Sequence, residues 1–180
     1  MTISFEDKVV IITGAGGGLG RSHALEFAKR GAKVVVNDLG GSVDGSGGSS
    51  EAANNVVKEI TDAGGTAIPN GSSVTDDTGV KNMIDQTMDE FGRIDILINN
   101  AGILRDKSFS KMTMEDFTLV TDIHLMGSVK PTKMVWEIMK EQNYGRILVT
   151  TSSTGLYGNF GQSNYGAAKL GVVGFVNTLK

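Results

Sequence analysis

The chain has 180 residues, a formal net charge of -3 and a hydrophobic share of 39%. This length suits one domain with a substantial core and is short for two. Because the balance is slightly acidic and no basic run is present, the usual electrostatic surface for nucleic acid is excluded. The lack of cysteine excludes disulfides, thiolate metal sites and cysteine nucleophiles.

The composition and the apolar runs also indicate whether the protein binds metal and where in the cell it is located. His23 and His124 have no metal-ligand spacing, so we predict no metal site. Apolar runs such as residues 9–12 are far shorter than a membrane span, and the polar start is unlike a secretory signal. We therefore expect a cytoplasmic protein without membrane or nucleic-acid partners. A peroxisomal location is the alternative if the natural chain continues past Lys180.

Short apolar runs alternate with helical patterns along the chain, which indicates repeated βαβ units. We predict five strands, over residues 8–13, 33–38, 66–70, 94–98 and 146–151. We predict five helices, over residues 19–30, 51–63, 77–91, 114–142 and 163–180. This order predicts an α/β fold of the Rossmann type, a doubly wound parallel sheet in three αβα layers, forming a single domain over residues 1–180.

Two segments depart from this regular alternation. Residues 40–50 are so rich in Gly and Ser that we expect an enlarged loop beside the ligand site. Pro131 falls inside the long fourth helix, where it removes a hydrogen bond and clashes with the preceding turn. We expect a kink near residues 127–131.

The first strand leads directly into a glycine turn and then a helix. Gly14, Gly18 and Gly20 are spaced G-x-x-x-G-x-G. Glycines let the backbone turn tightly and approach a pyrophosphate, whose charge suits the helix N-terminus. A Walker A loop would need Gly at Ala15 and Lys at Arg21, so a nucleoside triphosphatase is disfavoured. The alternative is a flexible turn without a ligand.

Asp38 ends the second predicted strand, 24 residues after Gly14. A carboxylate at this place accepts hydrogen bonds from the adenosine ribose hydroxyls and repels a 2′-phosphate. The residue therefore favours NAD over NADP. The alternative is a helix cap or a solvated loop acid.

A hydroxyl, a phenol and an ammonium occur close together in the sequence, within residues 152–169. Tyr165 and Lys169 are spaced i, i+4 on a predicted helix, and Ser152 follows the fifth strand. A phenol ordinarily titrates near pH ~10, and a neighbouring ammonium stabilises its anion. Ser152 would hydrogen-bond a substrate oxygen as charge develops on it. The alternative is a packed Tyr beside a solvated Lys.

Together with residues 99–102 (Asn-Asn-Ala-Gly), these motifs resemble the short-chain dehydrogenase/reductase family. The resemblance implies Tyr165 as general acid/base, Lys169 as the residue that activates it and binds ribose, and Ser152 as substrate orienter. It implies that residues 99–102 brace the sheet beside the adenosine. It assigns the cofactor site to Gly14, Gly18, Leu19, Gly20, Asp38, Leu39, Ser73, Val74, Asn100, Ala101, Gly102, Tyr165 and Lys169.

The sequence departs from the family pattern at three points. A fourth catalytic position, usually Asn, is His124, whose backbone carbonyl can still hold a water beside the lysine; the alternative is a His in a helix interface. The family's adenine-contacting Asp-Val appears as Ser73-Val74. Family members also run well beyond this length, which implies that the last strands and the substrate lid are missing and the domain is incomplete at its C-terminus.

Residues 37–41, 99–106 and 157–162, with His124-Leu125-x-Gly127, are similar to the (3R)-hydroxyacyl-CoA dehydrogenase units of peroxisomal multifunctional enzymes and their bacterial relatives. This implies NAD-dependent oxidation of (3R)-3-hydroxyacyl-CoA to 3-ketoacyl-CoA in fatty acid metabolism. One alternative is a 3-oxoacyl-carrier-protein reductase using NADPH, and a steroid or small-alcohol dehydrogenase is another. From a different class comes a truncated, non-catalytic module for cofactor binding or dimerisation.

The last predicted helix is apolar nearly all round at residues 172–176. Such a helix needs a buried partner surface. It and the long helix resemble the pair that builds the family's dimer interface, which implies a homodimer or homotetramer.

Overall fold

The structure is a computed structural model, and it describes residues 3–49 and 51–179. The strands of its one sheet are β1 (Val9–Thr13), β2 (Lys33–Asn37), β3 (Thr66–Asn70), β4 (Ile96–Asn99) and β5 (Arg146–Val149). The helices are α1 (Gly18–Lys29), α2 (Glu51–Asp62), α3 (Asp77–Phe91), α4 (Met114–Thr121), α5 (Gly127–Glu141), α6 (Ser153–Tyr157) and α7 (Ser163–Asn177).

The strands lie in the order β3-β2-β1-β4-β5, and every neighbouring pair is parallel. β1 is central: Ile12 is in register with Val36 of β2 on one side and Ile98 of β4 on the other. All five residues of β1 are buried, as expected for a β-branched run covered on both faces. The predicted parallel α/β fold is confirmed.

Because successive side chains of a strand point to opposite faces, the strands contribute to two separate cores. Ile12 and Val36 pack with Ile60 of α2 on one face. Ile11 packs with Met83 of α3 and with residues of α5 on the other. The molecule is therefore three-layered, and the carboxyl ends of all five strands meet at one edge.

The long predicted helix is interrupted. A π-helical turn, Asp122–Met126, separates α4 from α5, so the irregularity lies just before the predicted kink range rather than within it. Pro131 lies inside α5, and the helix runs on past it. A wider turn upstream of a proline relieves the crowding of its ring against the preceding carbonyls. α6 was not predicted, since five residues are too few to show a periodicity.

The edge strand β5 is less covered than the central strands. β1, β2 and β4 are almost wholly buried, whereas β5 alternates exposed and half-buried residues, with Leu148 46% exposed. α7 packs on α4 and α6 along one stripe that includes Ala168 and Val172. Phe175 and Val176 are half-buried within the chain. Among the described helices, none combines the length and the apolarity needed to cross a bilayer.

Candidate active site

The turn after β1 is packed tightly against the segment after β4. Gly14 and Gly18 have φ values of 63° and 52°, in the left-handed region that favours glycine. A β-carbon at Gly14 would lie 2.8 Å from Cα of Ala101. A β-carbon at Gly20 would overlap the carbonyl of Gly14. The glycines thus allow a close turn that directs α1, and its free N-terminal N–H groups, towards the sheet edge.

Hydrogen bonds hold the Asn-Asn-Ala-Gly segment to this turn. Thr13 Oγ1 accepts from the backbone N–H of Asn100 and of Ala101, both at 3.0 Å. The Asn100 side chain donates to the carbonyls of Thr13 and Gly14, both at 3.1 Å. Asn99 is buried and donates to Thr132 on α5 at 3.1 Å. The segment therefore braces the centre of the sheet edge.

Asp38 also binds the turn. One carboxylate oxygen accepts from the N–H of Gly16 and the other from that of Gly40, both at 2.7 Å. A β-carbon at Gly16 would lie 2.8 Å from this carboxylate and 2.7 Å from Cβ of Ala52. Gly16 therefore belongs to the candidate site, although the spacing of Gly14, Gly18 and Gly20 did not predict it. The run of three glycines at 16–18 is the sequence feature that could have indicated it.

A cleft of about 580 Å³ lies between the turn, the ends of β2 and β3, and residues 100–103. Nine residues predicted to bind the cofactor line it: Gly14, Gly18, Asp38, Leu39, Ser73, Val74, Asn100, Ala101 and Gly102. The other four do not line the cleft: Leu19 is 66% exposed, Gly20 is buried under the turn, and Tyr165 and Lys169 lie on α7. The enlarged loop contributes Gly41, Ser42, Val43 and Gly45 to the wall, as expected for a loop beside the site.

The predicted catalytic group lies at the carboxyl end of β5. Lys169 is only 4% exposed; its ammonium donates to the carbonyl of Thr150 at 2.5 Å and lies 5.5 Å from the centre of the Tyr165 ring. Burial lowers the pKa of Lys169 to about 8. Ser152 caps α6, its hydroxyl accepting from the N–H of Thr154 at 3.2 Å.

α6 and α7 pack closely against each other. A β-carbon at Gly155 would lie 2.7 Å from the backbone nitrogen of Leu170. The Thr151 hydroxyl donates to the carbonyl of Lys169 at 2.7 Å. The segment that carries Ser152 is therefore anchored directly to the helix that carries Tyr165 and Lys169.

His124 lies in the π-helical turn and faces the catalytic group. Its ring meets that of Tyr165 edge to face, with centres 5.0 Å apart, and Nε2 is 2.8 Å from the carbonyl of Ile103. The ring occupies the space that a side chain at Gly102 would need. Burial is the main cause that lowers the His124 pKa to about 4, so the imidazole is neutral at pH 7. Its carbonyl accepts from Ser128 at 2.8 Å.

Asn164 is a second residue that sequence reasoning missed. It is fully buried, and its side chain donates to the carbonyls of Arg105 and Asp116 at 3.2 and 3.3 Å. Its amide oxygen accepts from the N–H of Tyr165 at 2.8 Å. It therefore fixes the start of α7, and with it the position of the tyrosine. Within the described residues, no cluster of His, Asp and Glu side chains is suited to a metal ion.

Comparison with known proteins decides the family. Residues 8–180 match the sequence profile described as short chain dehydrogenase. The chain belongs to the short-chain dehydrogenase family. Members of this family are oxidoreductases. The fold that carries Ser152, Tyr165 and Lys169 is therefore that of an oxidoreductase family.

Two curated relatives of the short-chain dehydrogenase family differ in name and in similarity. The chain is 60% identical to the peroxisomal multifunctional enzyme A of Dictyostelium discoideum over 99% of its length, covering 40% of that protein. It is 44% identical to a 3-oxoacyl-[acyl-carrier-protein] reductase of Synechocystis over 96% of its length, covering 66% of that protein. The chain thus spans less than two thirds of the length of each.

Among solved structures, a 7α-hydroxysteroid dehydrogenase complexed with NADH and 7-oxo glycochenodeoxycholic acid superposes with a TM-score of 0.87. The two sequences are 31% identical, and the match covers 96% of this chain and 64% of that one. The short-chain dehydrogenase fold is therefore shared over nearly all of the described residues.

Proposed function

We propose that this chain carries the cofactor-binding and catalytic parts of an NAD-dependent dehydrogenase that interconverts a secondary alcohol and a ketone. The observation that carries the proposal is that Lys169 Nζ lies 5.5 Å from the Tyr165 ring and bonds the carbonyl of Thr150, just after β5, at the same sheet edge as the glycine turn and its cleft. Open α/β sheets bind ligands at this edge.

The residues present fit a nicotinamide dinucleotide. The turn at residues 14–18 offers backbone N–H groups at a helix N-terminus to a pyrophosphate, and Gly14 and Gly16 leave no room for side chains. Asp38 would receive the adenosine ribose hydroxyls, and its charge disfavours a 2′-phosphate. When bound, the nicotinamide ring supplies the hydride acceptor. A related structure contains NADH, and the position of Asp38 supports NAD over NADP.

The chain's own residues handle the proton. Tyr165 removes the proton of the substrate hydroxyl, and Ser152 donates a hydrogen bond to the same oxygen as it becomes a carbonyl. Lys169, with a pKa of about 8, is charged at pH 7 and stabilises the phenolate. His124, neutral and packed edge-on against Tyr165, holds the phenol ring in place.

The favoured substrate class is a (3R)-3-hydroxyacyl-CoA. Support comes from the 60% identity to a peroxisomal multifunctional enzyme and from the similarity of residues 37–41, 99–106 and 157–162 to such enzymes. The reductase at 44% identity represents the alternative, a carrier-protein reductase. Asp38 speaks against it, because that reaction is usually run with NADPH.

The test is to mix the protein with NAD and (3R)-3-hydroxybutyryl-CoA and to follow the absorbance of NADH. Turnover with the 3R substrate, and none with the 3S enantiomer, supports the proposal. Tight NAD binding without turnover would indicate a non-catalytic module, and preference for NADPH would indicate a reductase. Asp38→Ala should weaken NAD binding and reduce discrimination against NADP; unchanged discrimination would remove Asp38 from the ribose site.

We also propose that the protein forms a homodimer or homotetramer through its long helices. Support comes from α7, on which Phe175 and Val176 are only half-buried within one chain. Sedimentation velocity tests this: a monomer at micromolar concentration would contradict it.

The peroxisomal relative supports a peroxisomal location, with the cytoplasm as the alternative.

A further inference from the structure

Residues 40–49, here called the strap, join the two sides of the cofactor cleft. The strap begins after β2, and its carbonyl at Val43 accepts from the N–H of Leu104, after β4, at 2.9 Å. Gly45 lies against Ile103; a β-carbon there would be 3.1 Å from Ile103 Cδ1. Because β1 lies between β2 and β4 in the sheet, the strap crosses beyond the glycine turn that follows β1.

The strap completes a ring of contacts around the cleft. On one side Asp38 holds the turn through the N–H of Gly16, and on the other Asn100 holds it through the carbonyl of Gly14. Strap residues 41–43 and Gly45 line the same cleft as the turn. A dinucleotide in this cleft therefore has the turn on one side and the strap on the other.

The strap has a folded interior despite its composition. Asp44 accepts from the N–H of Ser46 at 3.0 Å, and the N–H of Ser42 donates to the carbonyl of Ser46 at 2.8 Å. The hydroxyls of Ser42 and Ser46 also donate to the Asp44 carboxylate, and these bonds, with that from the N–H of Ser46, lower the pKa of Asp44 to about 2. At its far end the N–H of Ser49 returns to the carbonyl of Leu39 at 3.0 Å. The strap is thus a small unit held together by its own hydrogen bonds, and it is tied across the cleft to residues 103–105.

Arg105 makes the side-chain part of that attachment. Its Nε donates to the carbonyl of Asp44 at 2.9 Å, and its Nη1 donates to Asp116 at 2.9 Å. Asp116 is buried, so it orients the guanidinium towards the strap. The carbonyl of Arg105 in turn accepts from Asn164, the residue that precedes Tyr165.

We infer that Arg105 is a positioning residue that latches the strap against the adenosine half of the bound cofactor. The inference rests on the proposed dinucleotide function. With the latch closed, the cofactor leaves slowly; when it is broken, the strap keeps only the Val43–Leu104 backbone bond and the packing of Gly45 on Ile103 as its contacts with residues 103–105. Cofactor release is the step it controls, a step that often limits turnover in enzymes with mobile loops.

A matched pair of variants tests the latch. Lys107 also binds Asp116, at 2.9 Å, but makes no hydrogen bond to the strap. Arg105→Met and Lys107→Met therefore each remove one cation from Asp116, and only the first releases the strap. NADH dissociation is measured by stopped-flow fluorescence after rapid mixing with excess NAD. We expect about a tenfold faster rate for Arg105→Met, the loss of one charge-assisted hydrogen bond, and little change for Lys107→Met.

A second pair tests the strap without touching Arg105. Gly45 and Gly47 have similar φ values, 85° and 75°, so alanine brings similar backbone strain at both. A β-carbon at Gly45 meets Ile103, whereas nothing lies within 4 Å of one at Gly47. Gly45→Ala should speed NADH release and Gly47→Ala should not. This pair also decides the matter if Arg105→Met does not fold.

The outcomes separate the latch from the proposed function. If the parent protein does not bind NADH, the dinucleotide function fails and the latch fails with it. If NADH binds but Arg105→Met and Lys107→Met release it at equal rates, or Gly45→Ala behaves as Gly47→Ala, the latch is wrong and the dinucleotide function stands.

Discussion

The proposed adenosine half of the site takes most of its groups from residues before 106, with backbone N–H and carbonyl groups tied by Asp38, Asn100 and the strap. The catalytic half takes three side chains from residues 152–169, beside the edge strand β5. Between Ser152 and Tyr165, the side chains of Tyr157 and Phe160 are 87% and 89% exposed. The proposed cofactor half is thus held by contacts among its own residues, whereas two large apolar side chains remain exposed in the proposed catalytic half.

Because the two halves are held by different contacts, we expect that cofactor binding and catalysis can be altered separately by substitution. Backbone groups bound to one another hold the cleft in shape before a ligand arrives. The proposed catalytic side chains instead include one buried ammonium, that of Lys169, whose removal from water costs stability. Changes in one half should leave the other largely intact.

The largest expected effect is on turnover. Tyr165→Phe removes the acid/base hydroxyl while keeping the ring that packs on His124. We expect kcat to fall about 1000-fold, the scale of a lost general base. A fluorescence titration with NADH is the control, and its affinity should change little. Equal loss of binding and turnover would mean that the two halves are not separable.

Lys169→Met should make the protein inactive but more stable. Relief of the buried charge should raise the free energy of unfolding by about 2 kcal/mol at pH 7, measured in urea. The pKa of Lys169 is about 8 in the folded protein against an ordinary 10.5, so the unfolded chain binds more protons between these pH values. The stability of the parent protein therefore rises with pH in this range. The variant should lose this rise.

Lys130→Met is the control for that prediction. Lys130 donates to the carbonyl of Thr75 at 2.7 Å and pairs with Asp77 at 2.8 Å, so its charge is compensated. Its removal should not stabilise the protein. A gain in both variants would point to a general effect of added apolar surface rather than to the buried ammonium.

His124 should make the protein sensitive to mild acid. Its pKa is about 4 in the folded state against an ordinary 6.5, so only the unfolded chain takes up the proton between these values. Stability is therefore complete above pH 6.5 and falls as the pH drops, by about 1.5 kcal/mol between pH 7 and pH 5. In His124→Asn this part of the fall should vanish, as measured by urea unfolding at both pH values. An unchanged slope would show that the imidazole is not held neutral.

The smallest expected effect tests the fit of the glycine turn to Asp38. Gly16→Ala places a methyl group against the Asp38 carboxylate and Ala52 and should cost about 1 kcal/mol of stability without cofactor. Gly17→Ala is the matched control, because its backbone is extended, with φ -161°, and nothing lies within 4 Å of a β-carbon there. Equal unfolding free energies for both variants would mean that the turn can shift to accommodate the methyl group.

Much of this protein is determined by patterns that are local in sequence. The β-branched runs of β1 and β2, the glycines at 14, 18 and 20 and the i, i+4 spacing of Tyr165 and Lys169 depend on neighbours within one turn or strand. They predict the α/β fold, the family and the edge of the sheet at which the predicted site residues gather. Asp38 was assigned in the same way, from its place at the end of a strand.

Only the tertiary structure decided which distant groups meet. The hydrogen bonds of Gly16 with Asp38, of His124 with Ile103, of Asn164 with Arg105 and of Arg105 with the strap join residues 21 to 61 positions apart. Such pairs depend on the order of strands in the sheet and on the π-helical turn before α5, and neither leaves a periodic trace in the sequence. Burial, and with it the lowered pKa values of His124 and Lys169, exists only once these elements have packed.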